Sequence, residues 1–153
     1  MEHIMGDVPL LPPFSVCIAG NEHAVRDGLA QVMMCLMPLA LSDDDTSTIE
    51  LVLAETLNNV IEHALSDSQV ATTIEIRGAF DASNGLRMTV IDRGAPMPTG
   101  KAPVGKAPDL DVSTDDLPEG GFGWFMIHTL ASDVRYTRVG EANHLILQLP
   151  VEI

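Results

Sequence analysis

The stretch "TTIEIRGAFDASNGLRMTVID", Thr72 to Asp92, decides the fold. "TTIEIRGAF" and "LRMTVID" each alternate apolar and polar residues with the period of two expected of a strand that buries one face, and "DASNG" between them is a hairpin turn signal. Together they predict an antiparallel pair. Leu86, Met88 and Val90 fall on one face of the second strand, and Asp92 falls on that same face. A carboxylate that follows three inward apolar residues is costly unless it has a dedicated partner. Two readings fit it equally: a ligand contact, and a strand-end turn in which the carboxylate caps nearby backbone N–H groups. Gly94, Pro96 and Pro98 then force a loop.

Outward from the hairpin, "FSVCIAG" (Phe14 to Gly20) is short and β-prone, and Asn21 has the character of an N-cap for a helix running to about Met37, just before Pro38. A second helix is expected after the acidic cluster "SDDDTST", where Asp residues near the N-terminus suit the helix macrodipole, and it continues to about Leu65. From Pro98 to Gly120 no periodicity survives, only Pro, Gly, Lys and Asp, as in a lid or a disordered segment. The helix "WFMIHTLAS" follows, then the strand "DVRYTRV", a turn at "GEAN" and a last strand "LILQLPV". These elements predict an α+β two-layer sandwich in one domain over residues 1–153, with a mixed, mainly antiparallel sheet and helices on one face.

The formal charge of −14, with only eight Lys and Arg, argues against a nucleic-acid partner and equally against a bare polyphosphate. An anionic ligand must arrive with a metal ion or meet a local concentration of positive charge. No window approaches the roughly 18 apolar residues of a membrane span. The N-terminus lacks the basic region of a signal peptide, and its apolar run is cut by Pro9, Pro12 and Pro13. Cys17 and Cys35 are consistent with a reducing cytoplasm and read as small buried hydrophobes without a chemical role.

Two further features carry chemistry. In "IELVLAETLNNVIEHAL" the residues Ile49, Val52, Leu53, Thr56, Leu57, Val60 and Ala64 form the core-facing arc, while Glu55, Asn59 and His63 climb the flank at four-residue steps. Taken alone, that stripe fits a solvated helix side better than a site. In "EGGFGWFMIHTL", Glu119 to Leu130, three glycines open a helix, which lets an anion approach unpaired backbone N–H groups closely. A turn chosen only for its positive φ angles explains the glycines as well. A helix end supplies at most about 2 kcal/mol, whereas micromolar binding needs about 8. The segment "GKAPVGK" fits part of a phosphate-binding P-loop, but Ala107 stands where a magnesium-binding hydroxyl is needed, and Pro103 and Pro108 prevent a helix. A Walker site is therefore rejected. Lys101 and Lys106, the only two lysines, both lie in this loop and are placed to close over phosphates.

In order along the chain, "ELVLAETLNNVIEHAL", "IDRGAPMP" and "LPEGGFGWFMIHTLASDVRYTR" resemble the N, G1 and G2 boxes of the GHKL ATPase superfamily, and most of all its stand-alone bacterial anti-sigma-factor serine/threonine kinases. The resemblance implies a Bergerat-type ATP-binding fold with an ATP lid over residues 98–120. It implies that Asn59 coordinates Mg²⁺, that Glu55 orients and deprotonates the attacking hydroxyl, and that Asp92 accepts the adenine amine. His63 belongs to the same nucleotide site. Gly94 and Met97 let the base pack closely, and the backbone of Gly121, Phe122 and Gly123 holds phosphates. The implied partners are a small STAS-like anti-sigma-factor antagonist, a sigma factor and a second copy in a homodimer. The chain departs from the family pattern at three places. Pro96 replaces the second glycine of D-x-G-x-G, Trp124 replaces an aliphatic residue and reads as core, and "NHLILQL" lacks the small hydroxyl residues that support a water-mediated contact to the base. A non-catalytic, nucleotide-dependent binding module is the alternative function.

Overall fold

A computed structural model describes residues 11–65, 72–104 and 121–152. Its elements run β1 (Phe14–Ala19), α1 (Glu22–Leu36), α2 (Asp43–Asn59), β2 (Thr73–Asp81), β3 (Gly85–Asp92), α3 (Gly121–Leu130), β4 (Asp133–Val139) and β5 (Ala142–Leu149). A single π turn, Val60–Ala64, prolongs α2. The helix caps follow the sequence signals. Asn21 accepts from the Ala24 N–H at 3.0 Å, and Ser42 accepts from the Asp45 N–H at 3.1 Å. α2 thus begins inside the acidic cluster rather than after it. Asp43, Asp44 and Asp45 form its first turn, where their charges oppose the positive end of the dipole.

The sheet order is β1-β2-β3-β5-β4. All four pairings among the described strands are antiparallel, so the parallel pairing that a mixed sheet allows is not used. The reason lies in the last hairpin. β4 returns from α3 in the direction of β3, and the tight turn at Gly140, with φ 60°, folds β5 back between them. One sheet face carries Val16, Ile18, Ile74, Ile76, Leu86, Met88, Val90, Leu145, Leu147 and Leu149, all buried against the core-facing residues of the helices. Gly28 lets α1 lie directly on β1, since a Cβ there would stand 2.7 Å from Ile18. The period of two that buries Val16 and Ile18 turns Cys17 the other way. It is exposed on the open sheet face, contrary to the buried position expected from its apolar neighbours, and Cys35 is half-buried.

Candidate nucleotide and phosphoryl-transfer site

Each polar residue of the candidate site reaches its position by a local rule. α2 places Glu55 and Asn59 one turn apart, and Asn59 is 9% exposed. α3 starts at Gly121 rather than at Trp124, so Gly121, Phe122 and Gly123 form its first turn instead of preceding it. Their N–H groups are among those that an α-helix leaves without an intrahelical acceptor. Trp124 is buried, as a core residue should be. Gly123 brings this turn onto α2. A Cβ at Gly123 would lie 2.6 Å from Glu55 Oε2 and 3.7 Å from Asn59 Nδ2. Asn59 Nδ2 and, three residues earlier, Thr56 Oγ1 are buried with no hydrogen-bond partner among the described residues. Buried polar atoms are normally paired, so these two mark a place where a ligand or water completes the structure.

A second group of polar residues is set by β3, the loop after it, and the β4–β5 hairpin. Asp92 is 4% exposed. Its Oδ1 accepts from the Gly94 N–H and from Asn143 Nδ2, each at 2.8 Å, and no bond among the described residues goes to Oδ2. Burial pushes the Asp92 carboxyl above the usual range. The Asn143 amide opposes that most, followed by the Gly94 N–H and the nearby Arg138 and His144. The loop is braced from behind. The Ala95 N–H donates to the Ala64 carbonyl at 2.9 Å, the Met97 N–H to the Tyr136 hydroxyl at 3.1 Å, and Arg138 Nη1 to the Gly94 carbonyl at 2.7 Å. The segment that leaves this loop is tied to α3 by a 2.7 Å contact of His128 Nε2 with the Pro103 carbonyl.

An acidic acceptor at a strand end, a glycine-opened helix and a helix-borne carboxylate beside a carboxamide are thus set by the fold. Residues 19–149 match the model of the histidine kinase-like ATPase domain. The chain belongs to that family. Among curated members it is similar to the serine-protein kinase RsbW of Bacillus mycoides (strain KBAB4), at 29% identity over 94 residues, which is 60% of this chain and 56% of the relative. It is also similar to the RsbW of Bacillus cereus (strain AH820), at 26% identity over 93 residues, with the same coverage. The matched region thus spans a little over half the length of these curated relatives. Among solved structures it resembles the RsbU and RsbW domains of Rv1364c from Mycobacterium tuberculosis, with a TM-score of 0.61 and 19% identity over 92% of this chain and 32% of the other. That likeness concerns the fold. No helix among the described residues is long and apolar enough to cross a membrane.

Within this histidine kinase-like ATPase, Glu55, Asn59 and Gly123 are brought together, and Asp92 and Gly94 share one loop junction. His63 is not in line with them. The π turn that begins at Val60 changes the i→i+4 register to i→i+5, with the Leu65 N–H bonded to the Val60 carbonyl, and leaves His63 exposed beside Glu62 at 3.9 Å. Gly94 also lets the loop pack closely on the end of α2. The space a Cβ would fill there holds the Ala64 carbonyl oxygen at 2.2 Å. Met97 is half-buried against the core, and Lys101 is exposed. Lys106, Gly120 and the rest of residues 105–120 in the expected lid lie outside the described residues. The sequence reading missed Tyr136 and Arg138 and treated Asn143 only as the lack of a hydroxyl. A signal was present. Counting back in twos from Leu149, Leu147 and Leu145 puts Asn143 on the inner face, and the register sets it opposite Asp92.

Proposed function

We propose that this chain is an ATP-dependent protein kinase of a partner-switching system in the cytoplasm, which moves the γ-phosphoryl group of ATP to a serine or threonine of a small STAS-like anti-sigma-factor antagonist. A sigma factor is the second partner, held in the alternate state, and a second copy of the chain completes a homodimer. The observation that carries the reading is the seating of Gly123 against Glu55 and Asn59, which sets a helix N-terminus beside a carboxylate. A site that only binds nucleotide gains nothing from a carboxylate at its phosphate end, because the charge repels the ligand of an already acidic chain. A general base is the use that offsets that repulsion. The curated relatives, named serine-protein kinases, support the same choice.

In this reading Asp92 accepts the adenine amine, and the N–H groups of Gly121, Phe122 and Gly123 donate to phosphate oxygens. Lys101 and Lys106 extend the positive field from the lid. Asn59 is the residue that would hold Mg²⁺. Its Nδ2 makes no hydrogen bond among the described residues, and an amide oxygen suits a hard cation that neutralises phosphate charge. Glu55 holds the incoming hydroxyl in line and takes its proton as the new O–P bond forms and the bond to the ADP oxygen breaks. A carboxylate is a weak base, so alignment contributes more than proton affinity.

The test is incubation with γ-labelled ATP and the candidate antagonist, followed by location of the label. Transfer to a serine or threonine is expected, with Glu55→Gln keeping ATP affinity within about twofold and slowing transfer by about 10²–10⁴. A wild type that takes up ATP, labels no antagonist and still changes partners with nucleotide is a non-catalytic switch. Calorimetry with magnesium that detects no adenine nucleotide uptake removes both readings.

A further inference from the structure

Asn143 is 4% exposed and carries a carboxamide that can donate two hydrogen bonds and accept two. The protein uses all four. Nδ2 donates to Asp92 Oδ1 at 2.8 Å and to the Ala95 carbonyl at 2.9 Å, with the Gly94 carbonyl farther off at 3.3 Å. Oδ1 accepts from the Tyr136 hydroxyl and from Arg138 Nη1, the latter at 2.9 Å. The surroundings also fix which way the amide points, because acceptors face one end and donors the other. A side chain with no unused polar group has nothing left for a ligand. It acts through what it holds, which is the Asp92 carboxylate and the turn of the loop behind it.

Two N–H donors, from Asn143 and Gly94, converge on Asp92 Oδ1, so that oxygen is committed as an acceptor. We propose that Asn143, backed by Arg138 and Tyr136, is a positioning and specificity-determining residue that keeps Asp92 an acceptor, turned so that Oδ2 alone meets the ligand, which selects a purine bearing an exocyclic amine over one bearing a carbonyl. The inference rests on the ATP reading and deepens it. Guanine would set its O6 against the carboxylate, two acceptors with no proton between them. A protonated Asp92 would instead donate to that O6, so proton occupancy of this one carboxyl erodes the choice of base. Burial favours the proton. The titratable or charged groups that influence Asp92 are Arg138 on β4 and His144, one residue along β5 from Asn143, and the Asn143 bond outweighs either in opposing the proton.

The test titrates wild type, Asn143→Leu and Tyr136→Phe with ATP and with GTP from about pH 5 to pH 8, and follows the Asp92 carboxyl by carbon NMR without nucleotide. Asn143→Leu is close in volume and lacks polar atoms, and Tyr136→Phe removes one hydroxyl behind the amide. Asn143→Leu should weaken ATP about 10- to 100-fold near neutral pH, as expected for loss of a hydrogen bond to a charged group. The loss should deepen as pH falls, the ATP-to-GTP ratio should narrow, and the Asp92 titration should move upward. Tyr136→Phe should move each readout the same way by less than about tenfold. A merely structural residue would weaken both nucleotides equally and leave the pH profile and the titration in place. That result overturns the proposal, as does an Asn143→Leu protein with unaltered base preference. Should Asn143→Leu fail to fold, Tyr136→Phe decides by the same criteria. Absence of ATP binding by wild type overturns the kinase reading instead, and the carboxyl titration still decides whether Asn143 keeps Asp92 an acceptor.

Discussion

At the end of the site proposed to read the base, Asn143 has every donor and acceptor paired within the protein, and Asp92 has one oxygen bonded while no bond among the described residues goes to the other. At the end proposed to hold phosphate, Asn59 Nδ2 and Thr56 Oγ1 are buried without partners among the described residues, and a missing side chain at Gly123 is what lets two helices meet over Glu55. An unpaired buried donor or acceptor costs about 1–3 kcal/mol, so the second end is the less satisfied of the two among the described residues. Discrimination between bases needs donors and acceptors set in advance, because a site rejects the wrong base by leaving its own groups unpaired. Phosphate and cation need room and open ligands. In the proposed function these tasks fall to a braced end and to a less satisfied one.

Substitutions at the two ends should therefore fail in different ways. The largest expected effect is from Gly123→Val, which drives a branched side chain into Glu55 Oε2, 2.6 Å from the Cβ position. Displacing a reacting group by about 1 Å costs on the order of 10²-fold in rate. Phosphoryl transfer should collapse by at least about that factor in a kinase assay while thermal unfolding shows a folded protein, and full activity would mean that Glu55 is not at the reacting centre.

Asp92→Asn comes next and should split stability from binding. ATP affinity should fall about 10- to 100-fold by calorimetry, the effect of losing a charged acceptor. The empty protein should melt higher. Burial raises the folded-state carboxyl above its ordinary value, so the folded protein binds the proton more readily than the unfolded chain does. Stability on this account falls as pH rises from the ordinary value through the raised one, and the penalty persists at neutral pH. The gain in Tm should appear near neutral pH, at about 2–4 °C per kcal/mol recovered, and vanish in acid. An unchanged Tm at both pH values would mean that the carboxylate carries no strain of burial.

Gly94→Ala should sharpen the picture of the braced end. Its methyl would meet the Ala64 backbone carbonyl, which cannot swing aside as a side chain end can, and the Ala95 to Ala64 hydrogen bond would be lost with it. A destabilisation of about 1–3 kcal/mol is expected from overpacking, read as a lower Tm with ATP affinity reduced in step. The smallest effect belongs to the open sheet face. Cys17→Ser, at an exposed position, should leave ATP affinity unchanged and move Tm by less than about 2 °C.

Much of the fold was legible because each element announces itself within a few residues. Alternation in β2 and β3 marks an inward carboxylate at Asp92, Asn21 marks the start of α1, and "GEAN" marks the turn before the final strand. Where the reading slipped, a local pattern was overridden by a non-local one. The four-residue stripe from Glu55 was extended to His63, but the backbone widens into a π turn whose last carbonyl meets the loop at Gly94 and Ala95. Cys17 was placed by composition when the period of its neighbours should have decided.

By itself the chain's order of residues determined which faces are apolar, where helices begin, and that a carboxylate, a carboxamide and a glycine-rich helix start are all present, since these follow from side-chain period and backbone sterics over short spans. Tertiary structure alone decided which of them meet. Asp92 and Asn143 lie 51 residues apart and touch only because β5 folds back beside β3 in one register. Gly123 reaches Glu55 only because two helices pack closely enough for one missing methyl group to matter.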